Sequence, residues 1–251
     1  MNKLVEATLN IVRNMGESLF VDLSKPYAYT LVAKFGNQKF LMRIASDAEN
    51  ISTSAVRDLK ILSAYTDAIS ICIVSSVRGQ ILQRGTVYLR DNVKFISLST
   101  FADALRGKGP VFKFNRGMFT AVIDGENLRR KREERGMSLG VLADRLGVTR
   151  ETVYRYERGE IETPLRVAQK LIEMFGEDVV RKFDINEKPA INQDEIRNRE
   201  IVRNTYRLLE SHPDAIRASD RTLLVSRNKD RREYEKTVEL ANALNVEVEN
   251  L

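Results

Sequence analysis

The strongest constraint on the fold is a pair of short amphipathic segments in the middle of the chain, within "SLGVLADRLGVTRETVYRYERG". The first segment has an apolar stripe at helical spacing, made of Leu142, Leu146 and Val148. Two helices that cross closely need a small residue at the crossing, and Ala143 meets that need. Gly147 suits the positive φ of the connection, because it has no β-carbon. We therefore predict two helices that cross at a short turn.

The second helix, "RETVYRYE", is predicted to have one buried and one exposed side. Thr149 is a suitable N-cap for it, and Val153 and Tyr156 share the buried side. The exposed side carries polar and charged residues near the helix start: Arg150, Glu151, Tyr154 and Arg155. For this helix taken alone, a charged side facing water is the better interpretation. The alternative is a surface that contacts a ligand, and the surrounding sequence favours that alternative.

The region at about residues 123–176 resembles the helix-turn-helix domains of phage Cro and lambda-type repressors and of their cellular relatives. The resemblance includes "ENLRRKREERGMSLGVLADRLGV" before the second helix and "TPLRVAQKLIEMFG" after it. Four residues stand where the family has them: Ala143, Gly147, Val153 and Tyr156. Arg132 and Glu157 occupy positions where the family often places a salt bridge. Thr163 as N-cap and Pro164 as first helical residue begin a fourth helix.

The resemblance implies that the helix starting at Thr149 enters the major groove of double-stranded DNA. The candidates for contact with base edges are then Arg150, Glu151, Tyr154 and Arg155. Arginine can pair two donors with guanine, and glutamate can accept from a cytosine amino group. Thr149 with the following amides suits a phosphate, and Arg158 could hold another. Leu139 stands where many relatives carry a DNA-contacting glutamine, so we expect that contact to be absent. Residues 129–131 are expected to be solvated.

Residues 1–106 are predicted to form an α/β domain. The order helix, three strands, helix, strand resembles the core of restriction-endonuclease-like nucleases, which hold Mg²⁺ with an acid on one strand and Glu-x-Lys on the next. Here Thr30 stands at the position of the acid, and Leu41 and Arg43 stand at the positions of the glutamate and lysine. The nearby acids Asp22, Asp47 and Glu49 are better explained as solvated residues. We expect a nuclease-like fold without catalytic residues.

The other segments complete the predicted organisation. Residues 107–122 are glycine-rich and read as a linker, with one strand in "MFTAVI" at most. The helix-turn-helix domain is assigned to residues 123–185, and a second polar linker to 186–194. Residues 195–251 are predicted as a helix, "REIVRNTYRLLE", followed by a β-α-β unit. A region this small is marginal alone, so we expect it to dock on the first domain or on a second subunit. The fold class is α/β plus all-α.

Composition narrows the classes of function. The net charge of +6 and the isoelectric point of about 9.4 favour polyanionic partners without proving one. Cys72 lies among apolar residues and is predicted to be a packed thiol, and His212 has no second imidazole or thiol near it. No metal site or cofactor is therefore expected. The sequence contains no apolar run long enough for a membrane span and no signal peptide, so we expect a cytoplasmic protein.

Taken whole, the chain resembles archaeal helix-turn-helix transcriptional regulators with an α/β N-terminal domain, a central Cro-like domain and a smaller C-terminal region. This resemblance is carried by "VRDLKILSAYTDAISICIVSS", "GTVYLR" and "IDGENLRRKREERGMSLGVLADRLGV". We expect a sequence-specific DNA-binding regulator that is a homodimer and not an enzyme. The alternative is a metal-dependent, resolvase-like nuclease that uses the helix-turn-helix to find its target. An RNA-binding or antitoxin role is a third, weaker interpretation.

Overall fold

The computed structural model describes residues 3–14, 19–21, 28–211, 213–227 and 231–250. The helices are α1 Lys3–Asn14, α2 Thr53–Thr66, α3 Leu98–Ala104, α4 Gly125–Glu134, α5 Leu139–Leu146, α6 Arg150–Glu157, α7 Leu165–Phe175, α8 Gln193–Arg197 and α9 Arg231–Leu244. The strands are β1 Leu19–Val21, β2 Leu31–Phe35, β3 Gln38–Asp47, β4 Ile69–Val77, β5 Gln80–Ile81, β6 Thr86–Arg90, β7 Val93–Ile96, β8 Phe112–Asn115, β9 Met118–Ala121, β10 Thr163–Pro164, β11 Glu200–Val202, β12 Thr205–Arg207, β13 Ala215–Ala218, β14 Thr222–Ser226 and β15 Glu247–Asn250.

The larger sheet begins with the predicted nuclease-like order. Strands β1, β2 and β3 form an antiparallel meander, and α2 returns the chain so that β4 pairs parallel to β3. The sheet then continues in the order β4-β7-β6-β8-β9-β10, with β5 paired to β4. Because β10 lies between α6 and α7, this sheet runs without a break from the first domain into the helical one. The two domains are therefore joined by backbone hydrogen bonds as well as by the chain.

The sheet is covered on both faces, as the apolar strand "ISICIV" requires. One face packs on α1 and α3 and contains Phe40, Ile71 and Phe101. The opposite face packs on α2 and contains Leu41 and Cys72. Cys72 is fully buried, and burial raises the pKa of its thiol to about 12, so it is a packed residue as predicted. Within the described residues, no helix is long and apolar enough to cross a membrane.

Residues 107–122, predicted as a linker, form structure instead. Strands β8 and β9 make a hairpin whose first strand pairs parallel to β6, and whose second strand pairs with β10. The hairpin turns at Arg116 and Gly117, both with positive φ. The glycines that suggested a linker thus mark turns at the ends of strands, which is their other common role. Of the second predicted linker, residues 186–192 lie outside helices and strands, and α8 begins at Gln193.

The predicted helix "REIVRNTYRLLE" is also wrong. Its residues form the hairpin β11–β12, which turns at Asn204 with a φ of +58°. The β-branched and aromatic residues Ile201, Val202 and Tyr206 fit a strand as well as a helix, and pairing of β12 with β13 decides for the strand. The region also contains strand β13, which was not predicted, and the predicted β-α-β unit, in which β14 and β15 pair in parallel and α9 connects them.

The C-terminal sheet docks on the first domain, one of the two alternatives expected. The ring of Tyr206 stacks on that of Tyr65 in α2 with centroids 5.2 Å apart. Leu224 and Leu240 belong to the same apolar cluster as α2. Lys39 donates to the carbonyl of Leu244 at 2.6 Å. This region therefore completes the core of the first domain, which explains how a small sheet is stable here.

Candidate DNA-binding site

The site is built on a four-helix bundle, α4 to α7, with its own core. Leu128, Leu142, Val153 and Leu171, one from each helix, are fully buried against one another. Ala121 of β9 belongs to the same cluster. The bundle and the hairpin are thus one packed unit, and the exposed face of α6 is held by a fixed scaffold.

The helices α5 and α6 meet at the predicted turn. Ala143 is buried at the crossing, and Gly147 ends α5 in the left-handed region with a φ of +71°. Thr149 caps α6, and its hydroxyl accepts from the Thr152 amide at 3.1 Å. Val153 and Tyr156 are buried. Local sequence therefore sets this geometry: a small residue at the contact, glycine at the turn and threonine at the cap.

The opposite side of α6, the predicted recognition helix, is exposed as expected. Arg150, Glu151, Tyr154 and Arg155 are all exposed. Leu139, the first residue of α5, lines a shallow concavity together with Arg150, Glu151 and Tyr154. Leu139 therefore lies next to the exposed side of α6 and has an apolar side chain there.

Arg132 and Glu157 form the predicted ion pair. Arg132 Nε donates to Glu157 Oε1 at 2.5 Å, and Nη2 donates to Oε2 at 3.0 Å. Arg132 Nη1 also donates to the Met137 carbonyl at 2.8 Å. This pair ties α4 to the end of α6. Gly125, which the sequence analysis did not single out, packs at the same point: a β-carbon there would lie 2.1 Å from the Glu157 carbonyl oxygen.

Two of the predicted contact arginines share one acid that the sequence analysis missed. Glu160 Oε1 accepts from Arg158 Nε at 2.8 Å, and Glu160 Oε2 lies 3.7 Å from Arg155 Nε. Arg158 Nη1 also donates to the Tyr154 hydroxyl at 3.2 Å. The sequence spacing of these residues does not predict the shared ion pair, because long side chains on a loop can reach several partners. Arg158 is thus not free in the unbound protein.

Two further expectations for this domain need correction. Thr163 does not cap α7: Thr163 and Pro164 form β10, and Pro164 stands at the N-cap without a side-chain hydrogen bond. Pairing with β9 holds Thr163 in an extended conformation. Of the "RRK" run, which was expected to be solvated, Arg129 and Arg130 are exposed as expected and pair with Glu133 and Glu134 at the surface, but Lys131 is partly buried and pairs with Asp178.

The position of the nuclease centre holds residues that do not fit a metal. The Thr30 hydroxyl accepts from the Ile44 amide at 3.1 Å, and Leu41 is fully buried among apolar side chains. Arg43 is partly buried, and its Nε has no hydrogen-bond partner among the described residues. None of the three residues supplies a carboxylate, the protein ligand through which Mg²⁺ is usually bound, and the Arg43 cation would oppose a second positive charge.

The acids near this position have structural roles where the structure describes them. Asp47 accepts from Ser76 Oγ at 2.6 Å and from the Gly79 amide at 2.8 Å, which ties the end of β3 to the turn after β4. Burial raises the pKa of Asp47, but these hydrogen bonds and two more from backbone amides outweigh it and hold the pKa at about 2. Glu49 lies beside Arg78 at 3.5 Å. Asp22 and His212 lie outside the described residues.

Comparison with known proteins agrees with this architecture. Residues 1–110 match the PD-(D/E)XK superfamily domain, and residues 128–180 match a helix-turn-helix family. A protein of Pyrobaculum aerophilum, named "Putative HTH-type transcriptional regulatory protein", is 63% identical over 249 residues, which cover 99% of each chain. A Methanococcus maripaludis protein of the same description is 34% identical over 172 residues, 67% of this chain and 52% of that one. A Picrophilus torridus relative is 28% identical, over 83% of this chain and 66% of that one.

The chain belongs to this archaeal family of helix-turn-helix transcriptional regulators. The matched segment spans about half of the Methanococcus relative, whereas the Pyrobaculum relative is matched along nearly its whole length. No solved structure matches the chain. The relatives are named as transcriptional regulators, and residues 1–110 of this chain match a nuclease superfamily. The chain therefore combines a nuclease-like domain with a helix-turn-helix domain.

Proposed function

We propose that this protein regulates transcription by reading a DNA sequence with the exposed side of α6. The observation that carries the proposal is the division of this helix into two sides. Val153 and Tyr156 are buried in the bundle, while Arg150, Tyr154 and Arg155 are exposed, with Arg150 in the first turn of the helix and Arg155 in the last. A helix presented in this way fits the major groove, where arginine pairs with guanine O6 and N7.

The remaining residues of the site are assigned to positioning. Thr149 and the first amides of α6 suit a phosphate, since a helix N-terminus attracts anions. Arg158, just beyond the helix, is assigned to a second phosphate, and binding requires that it leave Glu160. We assign Leu142, Ala143, Arg132 and the Glu157 side chain, which are buried, and the exposed turn residue Gly147 to holding the recognition helix in place.

We also propose a homodimer. One recognition helix covers only about half of a typical site, and related proteins place two of them about one DNA turn apart. Light scattering on the free protein and on its complex with a palindromic duplex tests this assignment. Monomers in both samples would reject it.

The assignment as a binding protein rather than an enzyme is likewise a proposal. It is supported by the residues at the nuclease position, where Thr30, Leu41 and Arg43 lack carboxylates. The first domain is assigned instead to holding the helix-turn-helix domain, because the two share a continuous sheet. The competing function is metal-dependent cleavage of DNA, which an assay in Mg²⁺ or Mn²⁺ would detect.

The experiment that tests sequence reading is repeated selection of bound duplexes from a random library with the full chain. A shared motif with two symmetric halves is the expected result. Recovery of unrelated sequences, bound as tightly as the starting library, would reject sequence-specific reading.

A further inference from the structure

The β8–β9 hairpin, residues 112–121, lies in a basic stretch of the chain. Between Asp103 and Asp124 the charged residues are all cations: Arg106, Lys108, Lys113 and Arg116. Arg116 stands at the tip of the hairpin, where the chain turns. Reading of bases by α6 does not use this element, so its charge has no role in the function proposed above.

The hairpin lies against the segment that leaves the recognition helix. Thr163 and Pro164 of that segment pair with Ala121 and Thr120 of β9. Glu162 Oε2 accepts from Thr120 Oγ1 at 2.6 Å, and Oε1 accepts from Lys113 at 3.0 Å. Because α6 ends at Glu157, only a short stretch of chain separates the two elements. The hairpin is therefore fixed against the segment that follows the recognition helix.

Two cations of this region are free. Arg116 at the hairpin tip and Arg166 in the first turn of α7 are exposed, and neither side chain has a hydrogen bond or ion pair within the described parts of the chain. Since β10 runs antiparallel to β9, the chain leaving Pro164 heads toward the tip. Arg166 follows the Pro164–Thr120 pair by two residues, and Arg116 precedes that pair by four residues along the hairpin. By contrast, Lys113 is neutralised by Glu162.

We propose that Arg116 and Arg166 form a second contact with the same duplex, to backbone phosphates beside the half-site read by α6. This inference rests on the proposed function. Free guanidinium groups suit phosphate, because they present paired donors and stay charged. The contact adds affinity without base specificity. Because the hairpin belongs to the continuous sheet, it also fixes how the first domain lies on the DNA.

The chain offers a matched control at Arg78. Arg78 and Gly79 form a turn with φ values of +53° and +75°, close to the +48° and +81° of Arg116 and Gly117. Strand β4 runs antiparallel to β8 within the sheet, so the two turns lie at opposite ends of it. The Arg78 side chain is 74% exposed, and its ion pair among the described residues is a 3.5 Å contact with Glu49. Removing it changes the net charge equally, away from the proposed contact.

The test measures binding of the full chain to a selected duplex and a scrambled one across a range of salt, with hydroxyl-radical footprinting of the backbone. We expect Arg116→Ala and Arg166→Ala each to weaken binding to both duplexes by the same factor. The slope of log K against log salt should fall by about one for each variant. Protection next to the half-site should disappear, Arg116→Lys should restore most of the affinity, and Arg78→Ala should resemble the wild type.

The outcomes separate this inference from the function on which it rests. Unchanged affinity, slope and footprint in Arg116→Ala and Arg166→Ala, with sequence preference intact in the wild type, would overturn the second contact alone. If selection yields no preferred sequence, but these variants still lower the slope on a random duplex, the second contact stands and sequence reading is rejected. Equal losses in Arg78→Ala would show a general charge effect and overturn the inference.

Discussion

Arg132 of α4 and Glu157 at the end of α6 form a two-point ion pair in which the side chains are only 9% and 6% exposed. The pair connects the first helix of the bundle to the last turn of the recognition helix. A buried charge that loses its partner is costly, whereas an exposed pair contributes little. The position of α6 therefore depends on this contact more than on the many ion pairs at the surface.

Replacing Glu157 with alanine should lower the free energy of unfolding by about 3 kcal/mol, since the Arg132 guanidinium would remain buried without its anion. Urea unfolding of the two proteins measures the change. Glu133→Ala is the matched control, because Glu133 lies 3.3 Å from the same arginine but is 53% exposed. It should change stability by less than about 1 kcal/mol. Equal effects of the two substitutions would contradict the assignment of the buried pair.

Replacing Gly125 with alanine should destabilise the bundle by about 1–3 kcal/mol, as overpacking does. The new β-carbon would lie 2.1 Å from a backbone oxygen of Glu157, and backbone cannot move aside cheaply. Gly140→Ala is the control within the same bundle. Gly140 is helical, and the nearest atom to its added β-carbon is Ser138 Oγ at 3.7 Å, so alanine should be neutral or stabilising there. Thermal unfolding of both variants tests the contrast.

The local geometry of the candidate site was predictable because local residues determine it. The small residue Ala143, the turn glycine Gly147 and the N-cap Thr149 each determine the conformation of residues within a few positions along the chain. The Arg132–Glu157 pair followed from the resemblance to Cro-like domains. The exposed side of α6 followed from helical periodicity. Apart from the Arg132–Glu157 pair, which joins α4 to α6, these features do not depend on which distant segment packs nearby.

The features that were missed depend on tertiary pairing. Residues 200–207 suit either a helix or a strand by pattern, and hydrogen bonding to β13 selects the strand. Thr163 is a good cap by type, but pairing with β9 makes it a strand residue. The close approach of Gly125 to Glu157 and the sharing of Glu160 by two arginines follow from side-chain placement, for which the sequence has no periodic signal.

Stability should depend on pH through Asp58, which lies in α2 and holds the C-terminal region. Its carboxylate accepts from the amides of Leu209 and Glu210 at 2.8 and 2.6 Å and lies 3.3 Å from Arg199 Nη1. Burial raises the pKa of Asp58 from 3.8 to about 6, although these partners oppose the rise. Because the folded state then binds the proton more tightly than the unfolded state, stability from this group falls as pH rises between the two values.

The measurement is the free energy of unfolding of the wild type minus that of Asp58→Asn, at pH 4 and at pH 6.5. The difference should become less favourable to the wild type by about 2 kcal/mol between pH 4 and pH 6.5. Asp67→Asn should behave in the opposite direction, because a hydrogen bond from Lys188 lowers the pKa of the exposed Asp67. Its small contribution is present at neutral pH and is lost as pH falls. A pH-independent difference for Asp58→Asn would refute the first expectation.

No cleavage of DNA is expected from this protein in Mg²⁺ or Mn²⁺. Leu41 is buried in apolar surroundings and Arg43 is cationic, so the position of the nuclease centre repels a metal rather than binding it. The assay uses plasmid and branched DNA with repurified full-length protein. Cleavage that persists through repurification and is lost in Arg43→Ala would establish the nuclease alternative. Cleavage that survives this substitution and varies between preparations would indicate a contaminant.

The arginines of the recognition surface should separate into two kinds. Arg150 and Arg155 project from the exposed side of α6, so replacing either with alanine should cost about 1–3 kcal/mol on the selected site and little on a scrambled duplex. Arg158 lies beyond the helix and is assigned to a phosphate, so Arg158→Ala should weaken binding to both duplexes and lower the salt slope by about one.

Glu160→Gln provides the complementary test, because Glu160 holds Arg158 and lies beside Arg155 in the free protein. Releasing both arginines should strengthen binding to both duplexes. The measurement for all these variants is a salt titration of binding to each duplex. If Arg150→Ala and Arg155→Ala lose the same affinity on both duplexes, these residues only position the protein. In that case α6 does not read the sequence.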